Sequence, residues 1–279
     1  VHVQADWDHA DVAGEARWLQ GIADAGSFPQ AIVAFADLTR PDLGAVLDEL
    51  AASRNVRGVR QYAHPADELG APGSALRLLE DPRIGPGLTA VADRDWCIDL
   101  HCPPDAVPRA VKVLQAHEGL RVAICHAGHP RTLLAAPAGR SDWLAGLTQL
   151  ASLPASVLKL SGLALSLPDA NAAELAEPMR QAIEVFGPDR AMFGSNFPVD
   201  RTRTSLVILV EALELALAGL TEHERHAVRS GTALAHYRIE PASSALADHS
   251  TPRSDLSERG GHLEVGSTEQ VRRPLDGRT

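Results

Sequence analysis

The chain has 279 residues and carries 26 basic against 36 acidic side chains, a formal net charge of −10. That balance excludes wholesale binding to nucleic acid, and an anionic ligand would need a local basic pocket to overcome the field. No run of eighteen apolar residues marks a membrane span, and three cysteines (Cys97, Cys102, Cys125) without a CxxC spacing argue for a reducing cytoplasm rather than a disulfide framework.

Residues 1–5 (VHVQA) already read as a strand. A helical pattern carrying Trp18, Leu19 and Ile22 runs to about Gly26, where the glycine can cap it. Residues 31–38 form an apolar run of strand length, and Pro41 then opens a helix through Val46, Leu47 and Leu50. Residues 56–61 (VRGVRQ) make a short strand. The stretch 64–91 reads as irregular, with a brief helix near 76–79. Strands follow at 96–101, 121–126 and 157–161, interleaved with helices over 106–117, 143–150 and 172–186.

Residues 191–200 (AMFGSNFPVD) bring a short apolar strand to an abrupt polar end, since Pro198 forbids a regular ladder beyond it. Two helices over 204–217 and 221–237 complete the ordered part. Strand and helix alternate throughout, which predicts a parallel sheet covered by helices. The strand count is seven where a closed (β/α)8 barrel needs eight. The expected organisation is therefore an α/β barrel of the TIM type over residues 1–240, lacking its first strand. Residues 241–279, rich in Ser, Asp, Arg, Gly and Pro, read as a disordered tail.

In parallel α/β folds chemistry gathers at the C-terminal ends of the strands. Strand alternation groups His2 with Gln4, Gly58 with Arg60, and Asp99 with His101. It also groups Ile124 with His126, Lys159 with Ser161, and Gly194 with Asn196. Taking these as inward-facing puts a polar group at the mouth on six strands. His101 and His126, on consecutive strands, could share a metal or flank a substrate carbonyl. Asp99 either orients His101 or satisfies a buried neighbour. Lys159 suits a carboxylate or an oxyanion unless it snorkels to water, and Arg60 can clamp a carboxylate. His129 reads as a loop residue, and the cysteines as small apolar fillers. There is no GxxxxGK[ST] loop, GxGxxG fingerprint or GxSxG elbow.

The segments LHC (100–102), CHAG (125–128), LKLSGL (158–163) and MFGSNFPVD (192–200) stand in this order along residues 1–238. Together they resemble the amidohydrolase-related TIM-barrel hydrolases, in the branch that includes sugar-acid lactonases and pyrone-dicarboxylate lactonase. The resemblance implies mouth-facing His101 and His126 and a lysine–serine pair at Lys159 and Ser161. It aligns the general base of the family with Asn196. An amide cannot take a proton as a carboxylate does, so Asp200 or His126 would assume that role, or Asn196 would only bind substrate. The family's first strand, with its His-x-His pair, has no counterpart before Val1.

The expected activity is hydrolysis of a cyclic ester or amide, foremost a lactone of a small anionic compound. His126, Asn196 and Asp200 are its catalytic candidates; Gln4, Arg60, Lys159 and Ser161 are its binding candidates. His101 and His126 would hold a divalent metal (Zn or Mn), unless the enzyme is metal-independent. The alternatives are a decarboxylase of the same superfamily and a truncated relative that only binds an anion. Partners are a small-molecule substrate and, left open, further copies of the chain; nucleic acid and membrane are not expected.

Overall fold

Among the described residues seven strands form one all-parallel sheet in strictly sequential order, from β1 at one edge to β7 at the other. They are β1 (His2–Val3), β2 (Ile32–Phe35), β3 (Val56–Gln61), β4 (Cys97–Leu100), β5 (Val122–Ile124), β6 (Ser156–Leu160) and β7 (Ala191–Phe193). The computed structural model describes residues 1–240 apart from 6, 9, 27, 62–77, 118, 131, 132 and 135. The expected tail at 241–279 and residues 76 and 77 of the expected helix at 76–79 lie outside the described residues, while 78 and 79 are helical.

Helices connect or follow the strands: α1 (Gly14–Gly26), α2 (Leu43–Ala51), α3 (Ile84–Ala92), α4 (Val107–Gln115) and α5 (Pro137–Ala151) come first. The short α6 (Leu163–Ser166), α7 (Ala172–Phe186), α8 (Leu206–Leu217), α9 (Glu222–His226) and α10 (Thr232–His236) follow, with a π-helical turn, Ala227–Gly231, joining the last two. The curled sheet with its alternating helices is the expected TIM-type α/β architecture, with β1 and β7 as its two edges. Among the described residues no helix is long and apolar enough to cross a membrane.

Side chains divide cleanly between the two faces of the sheet. Ile32, Val56, Val59, Ile98, Leu100, Val122, Ile124, Leu158 and Leu160 pack outward against helical residues such as Leu47, Leu50, Leu147 and Leu175. Ala31, Val33, Cys97, Ala123 and Met192 face the concave side, where Tyr237 from beyond α10 joins them. Val56 and Val59 point the same way although three residues apart. The reason is an irregularity in the β2–β3 pairing: Ile32 pairs with Val56, yet Val33 pairs with Gly58, so Arg57 is an extra residue. Past it, Gly58 and Arg60 turn inward. Only glycine fits at position 58, because a Cβ there would lie 2.4 Å from Cys97 Sγ and 2.5 Å from the Cys97 carbonyl oxygen.

Two expectations about helices need correction. The segment 64–91 is not irregular to its end, since α3 occupies Ile84–Ala92. Its Pro86 falls in the first turn, where a missing N–H costs nothing because those donors have no intrahelical partner. Helix α2 begins at Leu43 rather than at Pro41. Asp42 stands at its N-cap without capping it, because Arg40 holds both carboxylate oxygens of Asp42, at 2.5 and 2.7 Å.

Candidate active site

The site is assembled at the C-terminal ends of β3 to β6. Arg60 on β3 is 8% exposed, and its Nη2 donates to the Gln4 carbonyl oxygen at 2.7 Å. Gln4 itself is buried just past β1. His2 does not share the mouth with it, contrary to strand alternation: Val3 is the inward residue of β1, and His2 Nε2 lies 2.8 Å from Glu15 Oε1 on α1.

On β4, Asp99 is fully buried and accepts hydrogen bonds at both carboxylate oxygens, one of them from Cys125 Sγ to Oδ2 at 4.0 Å. Tyr237 Oη donates to Oδ1 at 2.9 Å, and Lys159 Nζ of β6 donates to Oδ2 in a buried ion pair. Lys159 thus avoids the cost of an unpaired buried charge. Its side chain keeps 12% of its surface exposed. Burial, followed by the Asp99 charge, pushes the Cys97 and Cys125 thiols up, and burial pushes Cys102 to about 12. All three cysteines are free and protonated, in keeping with apolar fillers.

His101, His126 and His129 gather above these groups. The His101 and His129 ring centroids are 4.1 Å apart, and His126 lies 6.0 Å from each. His126 Nδ1 is 3.1 Å from Ser161 Oγ, one strand away. Strand parity does not deliver His126 to this place. Its parity partner Ile124 faces the helices, and extending β5 by two residues would send His126 there too. Instead the chain leaves the strand at Cys125, and His126, Ala127, Gly128 and His129 all take positive φ, between 50° and 69°. Three of them carry a Cβ, so this left-handed turn stores strain of about 1–2 kcal/mol at each. Trp143 of α5 secures it by donating its Nε1–H to the Ala127 carbonyl oxygen at 2.7 Å.

Gly162 makes the space that the imidazole fills. Its φ is +67°, and a Cβ there would lie 2.8 Å from His126 Nδ1. Burial first, then Arg60, His129 and Lys159, lower the His126 pKa to about 3. The ring is therefore neutral, with one nitrogen a donor and the other an acceptor.

Beyond β7, Asn196 has φ +53° and donates from Nδ2 to Asp200 Oδ1 at 2.6 Å. Asp200 is fully buried, and its Oδ2 meets no protein partner among the described residues. Burial raises its pKa, against the opposing pull of the Asn196 amide. The aligned base position is thus an amide that holds a carboxylate four residues on.

Among the described residues no three His, Cys, Asp or Glu side chains are arranged to hold a metal ion. The nearest carboxylate on the strands, Asp99, is engaged by Lys159 and Tyr237. His129, read from the sequence as a loop residue outside the candidate set, and Tyr237 join this centre. The glycine between His126 and His129 is the signal for the first; nothing in the sequence signals the second.

Parallel strands carrying polar groups and imidazoles at their C-terminal ends have the layout of a TIM-type barrel site. The family model described as "Amidohydrolase" matches residues 1–239, and the chain belongs to that family. Among relatives, an L-fucono-1,5-lactonase of Burkholderia multivorans is 28% identical over 229 residues, covering 77% of this chain and 74% of that one. An amidohydrolase from Burkholderia multivorans with bound Zn superposes with a TM-score of 0.73 at 25% identity, covering 85% of this chain and 82% of its own. A candidate 2-pyrone-4,6-dicarboxylic acid hydrolase from Pseudomonas putida gives 0.60 at 25% identity, with 87% and 82% covered.

Proposed function

We propose that this chain hydrolyses the lactone of a small anionic compound, a sugar acid or a related carboxylate. The observation that carries the reading is the sign of the field at the mouth. Arg60 is buried near the end of β3 and Lys159 lies on β6, two strands from Asp99 on β4. Among the described residues two cations thus face the one carboxylate, Asp99, that the strands themselves carry and that pairs with Lys159. The lactonase among its relatives supports the same substrate class.

In this reading Asp200 is the base. Its raised pKa gives it more proton affinity than an ordinary carboxylate, and its free Oδ2 can take a proton from water. The water oxygen bonds to the lactone carbonyl carbon, and the resulting oxyanion is held by Lys159 or Arg60. The ring C–O bond then breaks, and the alkoxide recovers the proton from Asp200. Asn196 fixes the carboxylate, while neutral His126, His101 and Ser161 supply hydrogen bonds to the substrate. Gln4 sets Arg60 through its carbonyl. These steps use only the chain's own groups. We place the reaction in the cytoplasm, where three reduced cysteines are stable, and with a small molecule as the partner.

The test is turnover of L-fucono-1,5-lactone and other sugar-acid lactones by the wild type and Asp200→Asn. The expected result is hydrolysis that falls at least about 100-fold in the variant. Hydrolysis unchanged by Asp200→Asn would remove Asp200 as base, and no hydrolysis of any lactone would remove the reading.

A further inference from the structure

Tyr237 touches both members of the buried ion pair. Its hydroxyl donates to Asp99 Oδ1 at 2.9 Å, and its ring lies under Lys159 Nζ, 5.3 Å from ammonium to centroid. The tyrosine is 1% exposed and lies near the end of the described residues, 138 residues from Asp99 in sequence. It packs with Val33, Cys97, Ala123 and Met192 on the concave face, so its ring has no freedom to follow a shifting carboxylate.

We infer that Tyr237 and Asp99 are positioning residues that aim the Lys159 ammonium at an anionic group of the ligand. Asp99 Oδ1 accepts from the phenol and Oδ2 from the lysine, with Cys125 Sγ 4.0 Å from Oδ2. A lysine has three N–H donors, and one is engaged by Asp99. The others are left for a carboxylate or an oxyanion entering from the mouth, two residues below Ser161. The tyrosine ring favours the cation electrostatically as well. Without the hydroxyl, Asp99 could rotate and take a second donor from Lys159, drawing the ammonium away from the cavity.

The inference deepens the proposed lactone hydrolysis and rests on it for the substrate, but its test does not need turnover. Citrate serves as a non-hydrolysable polycarboxylate, titrated calorimetrically into the full chain as wild type, Tyr237→Phe, Lys159→Gln and the double variant. Wild type is expected to bind citrate, Tyr237→Phe to bind at least fivefold more weakly, and the double variant to bind no more weakly than Lys159→Gln. Where a lactone is hydrolysed, Tyr237→Phe should raise KM more than it lowers kcat. Absence of citrate binding by wild type, equal affinity in Tyr237→Phe, or additive losses in the double variant would each overturn the inference. Weakened citrate binding without hydrolysis of any lactone would sink the hydrolase reading and leave this one standing. Lactone hydrolysis with an unchanged KM in Tyr237→Phe would do the reverse.

Discussion

His126 Nδ1 meets Ser161 Oγ at 3.1 Å across the ends of β5 and β6, and the contact exists because Gly162 leaves a hollow beside the serine. Replacing Gly162 with alanine would put a Cβ 2.8 Å from the imidazole and force an alanine to φ +67°. The left-handed conformation alone costs about 1–2 kcal/mol. Gly162→Ala should therefore lower the thermal midpoint and the rate together, and measuring both would show whether the ring has been displaced. A variant with wild-type rate would separate the hollow from function.

Trp143→Phe keeps the apolar ring but removes the donor to the Ala127 carbonyl. The lost hydrogen bond should cost about 1–3 kcal/mol, because the carbonyl stays buried. The left-handed turn then loses its tie, and ligand affinity should fall along with stability. Chemical denaturation and a ligand titration would read the two effects separately.

Asp200 gives a pH dependence of defined sign. Burial raises its pKa in the folded state, so folding favours the protonated form. The stability contributed by this group is complete below the unfolded pKa of about 3.9 and is lost as pH rises through the folded value. At neutral pH Asp200→Asn should be more stable than wild type, and the gap should close as the pH falls below the ordinary carboxylate range. The rate of wild type should climb with pH through a midpoint above that range. Equal stability of the two proteins at pH 7 would contradict the burial of a charged Asp200.

His126 and His236 act in the opposite sense. Burial depresses them to about 3 and about 4, so the folded state binds fewer protons than the unfolded one. Their stabilisation is complete above the unfolded value of about 6.5 and is lost progressively as pH falls toward 3–4. Denaturation midpoints measured from pH 7 to pH 4 should drop steadily, and His236→Phe should flatten part of the slope. His236 is the better probe, since it lies away from the mouth with Arg121 donating to its carbonyl at 2.8 Å.

Much of the architecture is legible because each strand is a short apolar run closed by breakers, and seven such runs correspond to seven strands. Helix α3 is hidden by Gly85, Pro86 and Gly87, whose positions near the helix start matter more than their propensities. Alternation correctly places Arg60, Asp99 and Lys159 on one side, because each lies within a regular strand. It fails at His2, which α1 recruits through Glu15, and at His126, which lies beyond the end of its strand. Tyr237 could not be found at all, since a hydrogen bond over 138 residues leaves no local pattern.

The extra residue in β3 has one more implication. Bulged out between Val56 and Gly58, Arg57 resets the alternation, so Gly58 and Arg60 face inward as if residue 57 were not counted. Deleting it would restore regular pairing and leave Val59 outward and Arg60 inward. Orientation in this strand therefore cannot be counted from its first residue, and alternation run from Val56 through Arg57 would name the arginine correctly while pointing it the wrong way.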